Sequence, residues 1–261
     1  MTLDELLGNA QRIVRDVGTI AREGFGRSPI VRCKEGNDIV TRADLEIEDY
    51  VLSSLRALYP HHGFDSEEAG EQRADAEYVW ILDPIDGTKY YARGVPLYSI
   101  SLALRKQETL ILGVVYSPET QQMFSAALEK GARVIDGAND REIECSHTTQ
   151  LDQATVCVEI PSRDALPGER HWAMQKMRDL VDSVPRVRLL GVGALSLCYC
   201  AMGGFDAYVN LGSGTRLYDM AAGQAVLQEA GGQFRQIRAK IVAGPPRLCE
   251  QLLEFLGLDE R

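Results

Sequence analysis

Val79-Trp80-Ile81-Leu82-Asp83-Pro84-Ile85-Asp86-Gly87-Thr88 is the stretch on which the reading of this chain turns. The apolar run predicts a buried strand, and the carboxylates, the proline and the Gly-Thr pair behind it predict a strand end and a turn. Asp83 and Asp86 stand three residues apart. Because the proline and the turn break a strand's two-residue alternation, both acids can face one cavity, with the Ile85 carbonyl beside them. Oxygen-only ligands without a neighbouring His or Cys favour Mg²⁺ or a similarly hard ion over zinc. Gly87 and Thr88 open a short helical turn whose backbone N–H groups suit a phosphate. Taken alone, Asp-Pro and Asp-Gly are also ordinary turn residues.

Outward from this stretch the pattern is regular. Leu3, Leu6, Leu7, Ala10, Ile13, Val14, Val17, Ile20 and Ala21 recur at three- and four-residue steps behind Thr2 and Glu5, which predicts a first helix with a capping box. A second helix is expected from about Asp44 to Leu58, closed by Pro60, with a polar Gly-containing loop at 34–38 between the two. Strands expected at 78–83, 97–105, 109–116 and 121–127, joined by short links, imply an antiparallel sheet. From about residue 150, strands at 155–160, 187–190, 205–210 and 240–243 alternate with helices at 170–182, 193–202, 219–230 and 246–256, a layered α/β pattern. No Pro/Ser-rich linker divides the chain, so 1–261 is expected to fold as one domain with subdomains 1–148 and 149–261. The short step from Gly232 to Lys240 predicts a trimmed hairpin near the end of the sheet.

Composition narrows the function. A net charge of −10 argues against a broad nucleic-acid surface, which needs clustered Lys and Arg. If the substrate is anionic its charge must be met locally, and bound cations held by surplus carboxylates are the obvious device. No run approaches the roughly 18 apolar residues of a membrane span. Six cysteines without CxxC spacing or a regular framework, and early acids in place of a signal peptide, point to a reduced cytoplasmic protein.

Three further acidic positions stand out. Glu67-Glu68 precedes the Asp83 strand, although a solvated acidic loop would look the same. Asp219, in Tyr218-Asp219-Met220-Ala221-Ala222-Gly223, sits where an N-cap aspartate would sit, and Asp44 in Thr41-Arg42-Ala43-Asp44 could equally cap the second helix.

Val40-Thr41-x-x-Asp44, Glu67-Glu68, the 80–88 stretch, Gly191-Val192-Gly193-Ala194, and Tyr218 to Gly223 with Glu229-Ala230-Gly231-Gly232 together resemble, in order and spacing, the inositol monophosphatase family. The resemblance covers nearly the whole chain and implies the αβαβα sandwich of the inositol monophosphatase and fructose-1,6-bisphosphatase type, an α+β or α/β fold. It implies that Glu67, Asp83, the Ile85 carbonyl, Asp86 and Asp219 hold two or three Mg²⁺ ions, and that Thr88 and Asp44, helped by Glu67, orient and activate the attacking water. The implied reaction is metal-assisted hydrolysis of a phosphate monoester. Gly87, Thr88, Gly191, Val192, Gly193, Ala194 and Lys34 are implied on the substrate side, and lithium sensitivity and a homodimer come with the family.

The departures fall at the substrate end. Asn210 stands where many inositol phosphatases carry an acid that accepts from sugar hydroxyls, and two extra residues precede Asp219. Arg216 could reach a second phosphate or be a plain surface arginine, and Lys89 is similar to the nucleotide bisphosphatase branch. An inositol or similar small sugar phosphate is therefore the leading substrate. Fructose 1,6-bisphosphate, a 3′(2′),5′-bisphosphate nucleotide, histidinol phosphate and NADP stay open. A non-enzymatic alternative is a protein-binding partner of the transcription machinery, as some bacterial relatives are linked to it.

Overall fold

A computed structural model describes residues 2–33 and 38–258. Lys34, expected near the substrate, lies outside the described residues. Helix α1 (Leu3–Gly24) begins with the expected capping box: Glu5 N donates to Thr2 Oγ1 at 3.2 Å and Thr2 N to Glu5 Oε2 at 2.7 Å. Helix α2 (Arg42–Leu58) begins two residues earlier than expected, because Thr41 takes the N-cap position with Asp44 reaching back to it. Between them run β1 (Ile30–Cys33) and β2 (Ile39–Thr41), an antiparallel pair.

The first half builds one large sheet. Its strands are β3 (Gly63–Ser66), β4 (Gly70–Gln72), β5 (Tyr78–Asp86), β6 (Ser99–Lys106), β7 (Thr109–Ser117), β8 (Gln122–Ala127), β9 (Ala132–Asp136) and β10 (Asn139–Ile143). The spatial order is β10-β9-β8-β7-β6-β5-β3-β4, antiparallel throughout except that β3 runs parallel to β5. The sequence did not betray β4 or β10, which are short, polar and largely exposed, so no apolar alternation marks them.

The second half contributes β11 (Thr155–Glu159), α4 (Pro167–Ser183), β12 (Arg186–Arg188), α5 (Gly193–Ala201), β13 (Ala207–Asn210), α6 (Ala221–Glu229), β14 (Gln233–Ile237), β15 (Lys240–Gly244) and α7 (Pro246–Leu256). Its sheet, ordered β12-β11-β13-β15-β14, is parallel across the first three strands and antiparallel across the last two. The hairpin expected to be trimmed is present as β14–β15, turning through Arg238-Ala239 with Arg238 in the left-handed region at φ 57.

Strand alternation assigns the faces. Trp80, Leu82, Leu102, Leu104 and Val114 point to α1 and α2, whereas Ile81, Ala103 and Val115 point to α5 and α6. Cys157, Tyr208 and Ala243 of the second sheet meet α5 and α6 from the other side. Val156, Val158, Val209 and Val242 pack outward on α4 and α7. The layers therefore run helix, sheet, helix, sheet, helix, an αβαβα sandwich whose central layer is α5 and α6. That layer is tight: a Cβ on Gly223 of α6 would come within 2.6 Å of the Ala194 carbonyl of α5. Burial on both faces explains why β5 and β7 are apolar runs, whereas β6 keeps the alternation of Ser99-Ile100-Ser101-Leu102 although it is buried too.

Candidate active site

The bend that the 80–88 stretch needs is a β-bulge. On β5, Asp83 pairs with Ser101 and Asp86 with Ser99, so three steps on one strand face two on the other. The extra residue turns two carboxylates, which strict alternation would put on opposite faces, toward the same side. Gly87 follows at φ 93, and α3 (Thr88–Ala92) begins. A Cβ at Gly87 would meet Val192 Cγ1 at 2.7 Å and the Leu97 carbonyl at 2.9 Å, so both conformation and space demand glycine. Tyr91 fixes the short helix by donating from its hydroxyl to the Ala21 carbonyl of α1 at 2.9 Å.

Glu67, Asp83, Ile85, Asp86, Gly87, Thr88, Gly191 and Asp219 line one cavity of about 410 Å³. That lies at the lower end of the roughly 300–1,000 Å³ of small-molecule sites. Asp38, Lys89, Tyr90 and Arg93 complete the rim, where Lys89 Nζ pairs with Asp38 at 2.7 Å.

The acids are held by different means. Asp86 Oδ2 accepts from Ala194 N at 3.1 Å, in the first turn of α5. Asp219 Oδ2 accepts from Arg216 N at 2.6 Å, and α6 starts only at Ala221, so Asp219 pins the preceding loop and does not cap the helix. Asp83 Oδ1 is buried without a hydrogen-bond partner. Burial pushes the Asp83 carboxyl far above the usual range, and the charges of Glu67, Asp86 and Asp219 push it further. Asp86 is raised in the same way, by burial and then by Asp219 and Glu159. Burial lifts Asp219 to about 7 against the pull of the Arg216 N–H.

Buried like charges with an orphaned oxygen and an all-oxygen donor set fit a hard divalent cation. Among the described residues no three such side chains are already drawn into a finished coordination cage. Asp86 and Asp219 each have an oxygen engaged by a backbone N–H, while Asp83 keeps one that nothing satisfies.

Asp44 caps the second helix and also reaches Thr88. Its Oδ2 accepts from Thr41 N at 2.8 Å and Thr41 Oγ1 at 2.5 Å, closing the capping box. Its Oδ1 lies 3.2 Å from Thr88 Oγ1, which is also 2.9 Å from the Ile85 carbonyl. Burial raises the Asp44 carboxyl to about 6 despite the Thr41 hydrogen bonds.

The substrate-side expectations divide. Gly191 reaches the cavity, but Val192, Gly193 and Ala194 are buried beneath it, where Ala194 positions Asp86 and Gly193 packs under Met220 and the Asp219 carbonyl. Asn210 is 2% exposed, and both ends of its amide are spent inside the chain: Oδ1 accepts from Gly212 N at 2.7 Å and Nδ2 donates to Thr215 Oγ1. Arg216 lines a separate depression with Arg238, while its backbone N–H and its charge both act on Asp219 of the cavity.

Two acids escaped the sequence reading. Glu48 of α2 is 6% exposed, and its Oε1 accepts from Ser66 Oγ and from the N–H groups of Glu68 and Ala69, each at 3.1 Å. It thereby staples the turn that carries Glu67, which Arg32 also clasps through Glu68 at 2.5 Å. Its signal was an acid four residues past Asp44 on the apolar face of α2. Glu159 ends the apolar strand β11 as Asp83 ends an apolar run in β5, and that strand-end position is its signal.

The family model described as the inositol monophosphatase family matches residues 2–255. Inositol monophosphatase 1 of Solanum lycopersicum is 30% identical over 99% of this chain and 97% of its own length. A putative Nus factor SuhB of Neisseria meningitidis serogroup B is 31% identical over 98% and 99%. The crystal structure of the extragenic suppressor protein SuhB from Bartonella henselae superposes with a TM-score of 0.87 at 26% identity, covering 97% of this chain and 98% of that one. With the fold, the motif order and the whole-length match in agreement, the chain belongs to the inositol monophosphatase family.

Proposed function

We propose that this protein is a Mg²⁺-dependent phosphate monoester hydrolase acting on a small polyol or sugar phosphate, inositol 1-phosphate being the leading candidate. The observation that carries the reading is the buried, partnerless Asp83 Oδ1 set among Glu67, Asp86 and Asp219. Glu67, Asp83, the Ile85 carbonyl, Asp86 and Asp219 would hold the two or three cations. Bound there, these would polarise the phosphoryl oxygens and lower the pKa of a water molecule.

The chain's own residues handle the proton. Thr88 Oγ1 has one hydrogen to donate, to Asp44 Oδ1 at 3.2 Å or to the Ile85 carbonyl at 2.9 Å. When it donates to Asp44, its lone pairs are open to accept from a water in the cavity. A proton can then pass from water to Thr88 Oγ1 and on to Asp44 Oδ1. A carboxyl held at about 6 is well matched to receive it near neutral pH. The N–H groups of Gly87 and Thr88 would meet phosphoryl oxygens at the start of α3.

The test is hydrolysis of inositol 1-phosphate, fructose 1,6-bisphosphate, adenosine 3′,5′-bisphosphate, histidinol phosphate and NADP with and without Mg²⁺. Absence of Mg²⁺-dependent phosphate release from every ester would end this reading. Li⁺ titration of the activity and light scattering for a homodimer check two properties that family membership suggests.

A second reading rests on the relatives named Nus factor SuhB, which favour a protein partner in transcription. The −10 net charge makes a protein contact more plausible than a nucleic-acid one. If partner binding were the whole function, there would be no Mg²⁺-dependent hydrolysis for Asp83→Asn to remove, and partner binding would survive the substitution.

A further inference from the structure

Beyond the carboxylate cavity lies a second chamber of about 460 Å³, sharing Asp38 and Asp219 with it. A phosphate ester seated in the first would find room for its alcohol half in the second, which adjoins it. Glu159, Asn210, Ser213 and Thr215 form part of its wall. Among its described lining residues are four acids, Asp38, Glu159, Asp164 and Asp219, and no Lys, Arg or His.

Glu159 is the unusual member. It faces Asn210 in register across the parallel β11–β13 pair, so both side chains stand on the inner face of the second sheet. Its Oε1 is buried with no hydrogen-bond partner, while the residue as a whole stays partly exposed and lines the chamber. Tyr208, on the same face of β13, lies beside it, close enough to ease the carboxyl's burial, although its hydroxyl too lacks a well-formed hydrogen bond. Leaving a carboxylate in this condition costs stability unless a ligand supplies the donors. Asn210 is less available for that role, because each end of its amide already makes a hydrogen bond to the loop, at Gly212 and Thr215, and it is 2% exposed.

The geometry points to Glu159 as the residue that reads the alcohol half of the substrate, accepting hydrogen bonds from its hydroxyl or ammonium donors and excluding a second phosphate. The inference rests on the phosphatase reading and deepens it: the substrate class is a monophosphate ester of a donor-bearing alcohol. Ionised carboxylate is acceptor-only. Of the four acids, Asp38 pairs with Lys89 and Asp219 belongs to the cation site, so Glu159 and Asp164 are the two whose charge disfavours a bisphosphate's distal phosphate where a polyol fits.

The experiment compares wild type and Glu159→Gln by kcat/KM on four esters in Mg²⁺. They are inositol 1-phosphate, histidinol phosphate, fructose 1,6-bisphosphate and phenyl phosphate, the last as donor-free reference. The expected result is a fall of about fivefold or more in the inositol or histidinol ester relative to phenyl phosphate, and a rise for the bisphosphate on the same scale. Which donor ester falls further tells hydroxyl from ammonium recognition. Thermal unfolding without divalent cation provides the structural control, with Glu159→Gln expected to melt no lower than wild type, since a buried charge is removed. A smaller change in the ratios, a parallel loss on all four esters, or a clearly lowered melting temperature overturns the inference while leaving the phosphatase reading in place. A wild type that hydrolyses none of the four overturns the inference, and one that also fails on adenosine 3′,5′-bisphosphate and NADP overturns both.

Discussion

Glu48→Ala tests how far the site depends on a residue that touches neither cavity. Its carboxylate oxygen accepts from Ser66 Oγ, Glu68 N and Ala69 N. Removing it strands two backbone donors and one hydroxyl, and each unsatisfied buried group costs about 1–3 kcal/mol. These donors are only partly shielded, and a buried charge is relieved, so the net loss is about 2–4 kcal/mol. For a chain of this size about 1 kcal/mol moves the melting temperature by roughly 2–4 °C, so the variant should melt about 5–15 °C lower. Glu48→Gln keeps an acceptor oxygen in place and should lose about 1 kcal/mol. The functional effect is specific, because the two stapled N–H groups immediately follow Glu67: the Mg²⁺ concentration for half-maximal activity should rise well before kcat at saturating Mg²⁺ falls. Thermal unfolding and a Mg²⁺ activation curve measure the two effects. A Glu48→Ala protein that melts with the wild type, or whose half-activating Mg²⁺ is unmoved, would show that the turn does not rely on this staple.

Other perturbations follow from the same geometry. Asp83→Asn should abolish hydrolysis yet raise the cation-free melting temperature, because it removes a buried charge from among like charges; a lower melting temperature would contradict the orphaned-oxygen account. Gly87→Ala, strained at φ 93 and meeting Val192 and Leu97 below 3 Å, should cost about 2–4 kcal/mol, seen in denaturant unfolding as a shifted midpoint at constant m. Without divalent cation, stability should fall from about pH 4 to 7: Asp44 and Asp219, raised from 3.8 to about 6 and about 7, hold protons better folded than unfolded, so their contribution is full below pH 3.8 and lost as pH climbs through those values. Asp44 alone accounts for about 3 kcal/mol of that fall. Added Mg²⁺ should offset the loss most at the higher pH, and cation-free melting temperatures that climb steadily over this range would contradict the sign.

Legibility in the sequence followed burial. Strands covered on both faces announce themselves as apolar runs, as β5 and β7 do, and β6 shows through its alternation from Ser99 to Leu104, while β4 and β10 at the sheet's edges carry neither mark. The carboxylates at 67, 83, 86 and 219 were legible because acids beside apolar segments need a reason. What the sequence could not convey was which hydrogen-bonding capacity is already used. Asn210 looks like a recognition residue until its amide is found tied to Gly212 and Thr215, and Arg216 looks like an anion hook at the site until it is found lining a different depression along with Arg238. Glu159 had no signal beyond its place at a strand end, since its meaning depends on a strand pairing between residues 51 positions apart.

The crowding of acids is made tolerable by where the helices begin. Asp44 lies in the first turn of α2, Asp86 accepts from the first turn of α5, and Asp219 stands two residues before α6. Helix N-termini carry partial positive charge, so these three offset part of the carboxylate repulsion without placing a side-chain cation among the ligand oxygens. A lysine in the same place would neutralise the cluster and occupy the space a metal needs. The dipoles instead leave the oxygens undersatisfied, most visibly at Asp83 Oδ1. The same arrangement explains why one edge of the sandwich holds every element of the site: β3 and β5 run parallel, as do β11 and β13, so their C-terminal ends and the helices that start near them converge at the seam between the sheets. A mutation that tilts α5 against α6, such as a side chain at Gly223, would therefore disturb Asp86 and Asp219 together while touching neither, and the loss should appear in cation affinity first.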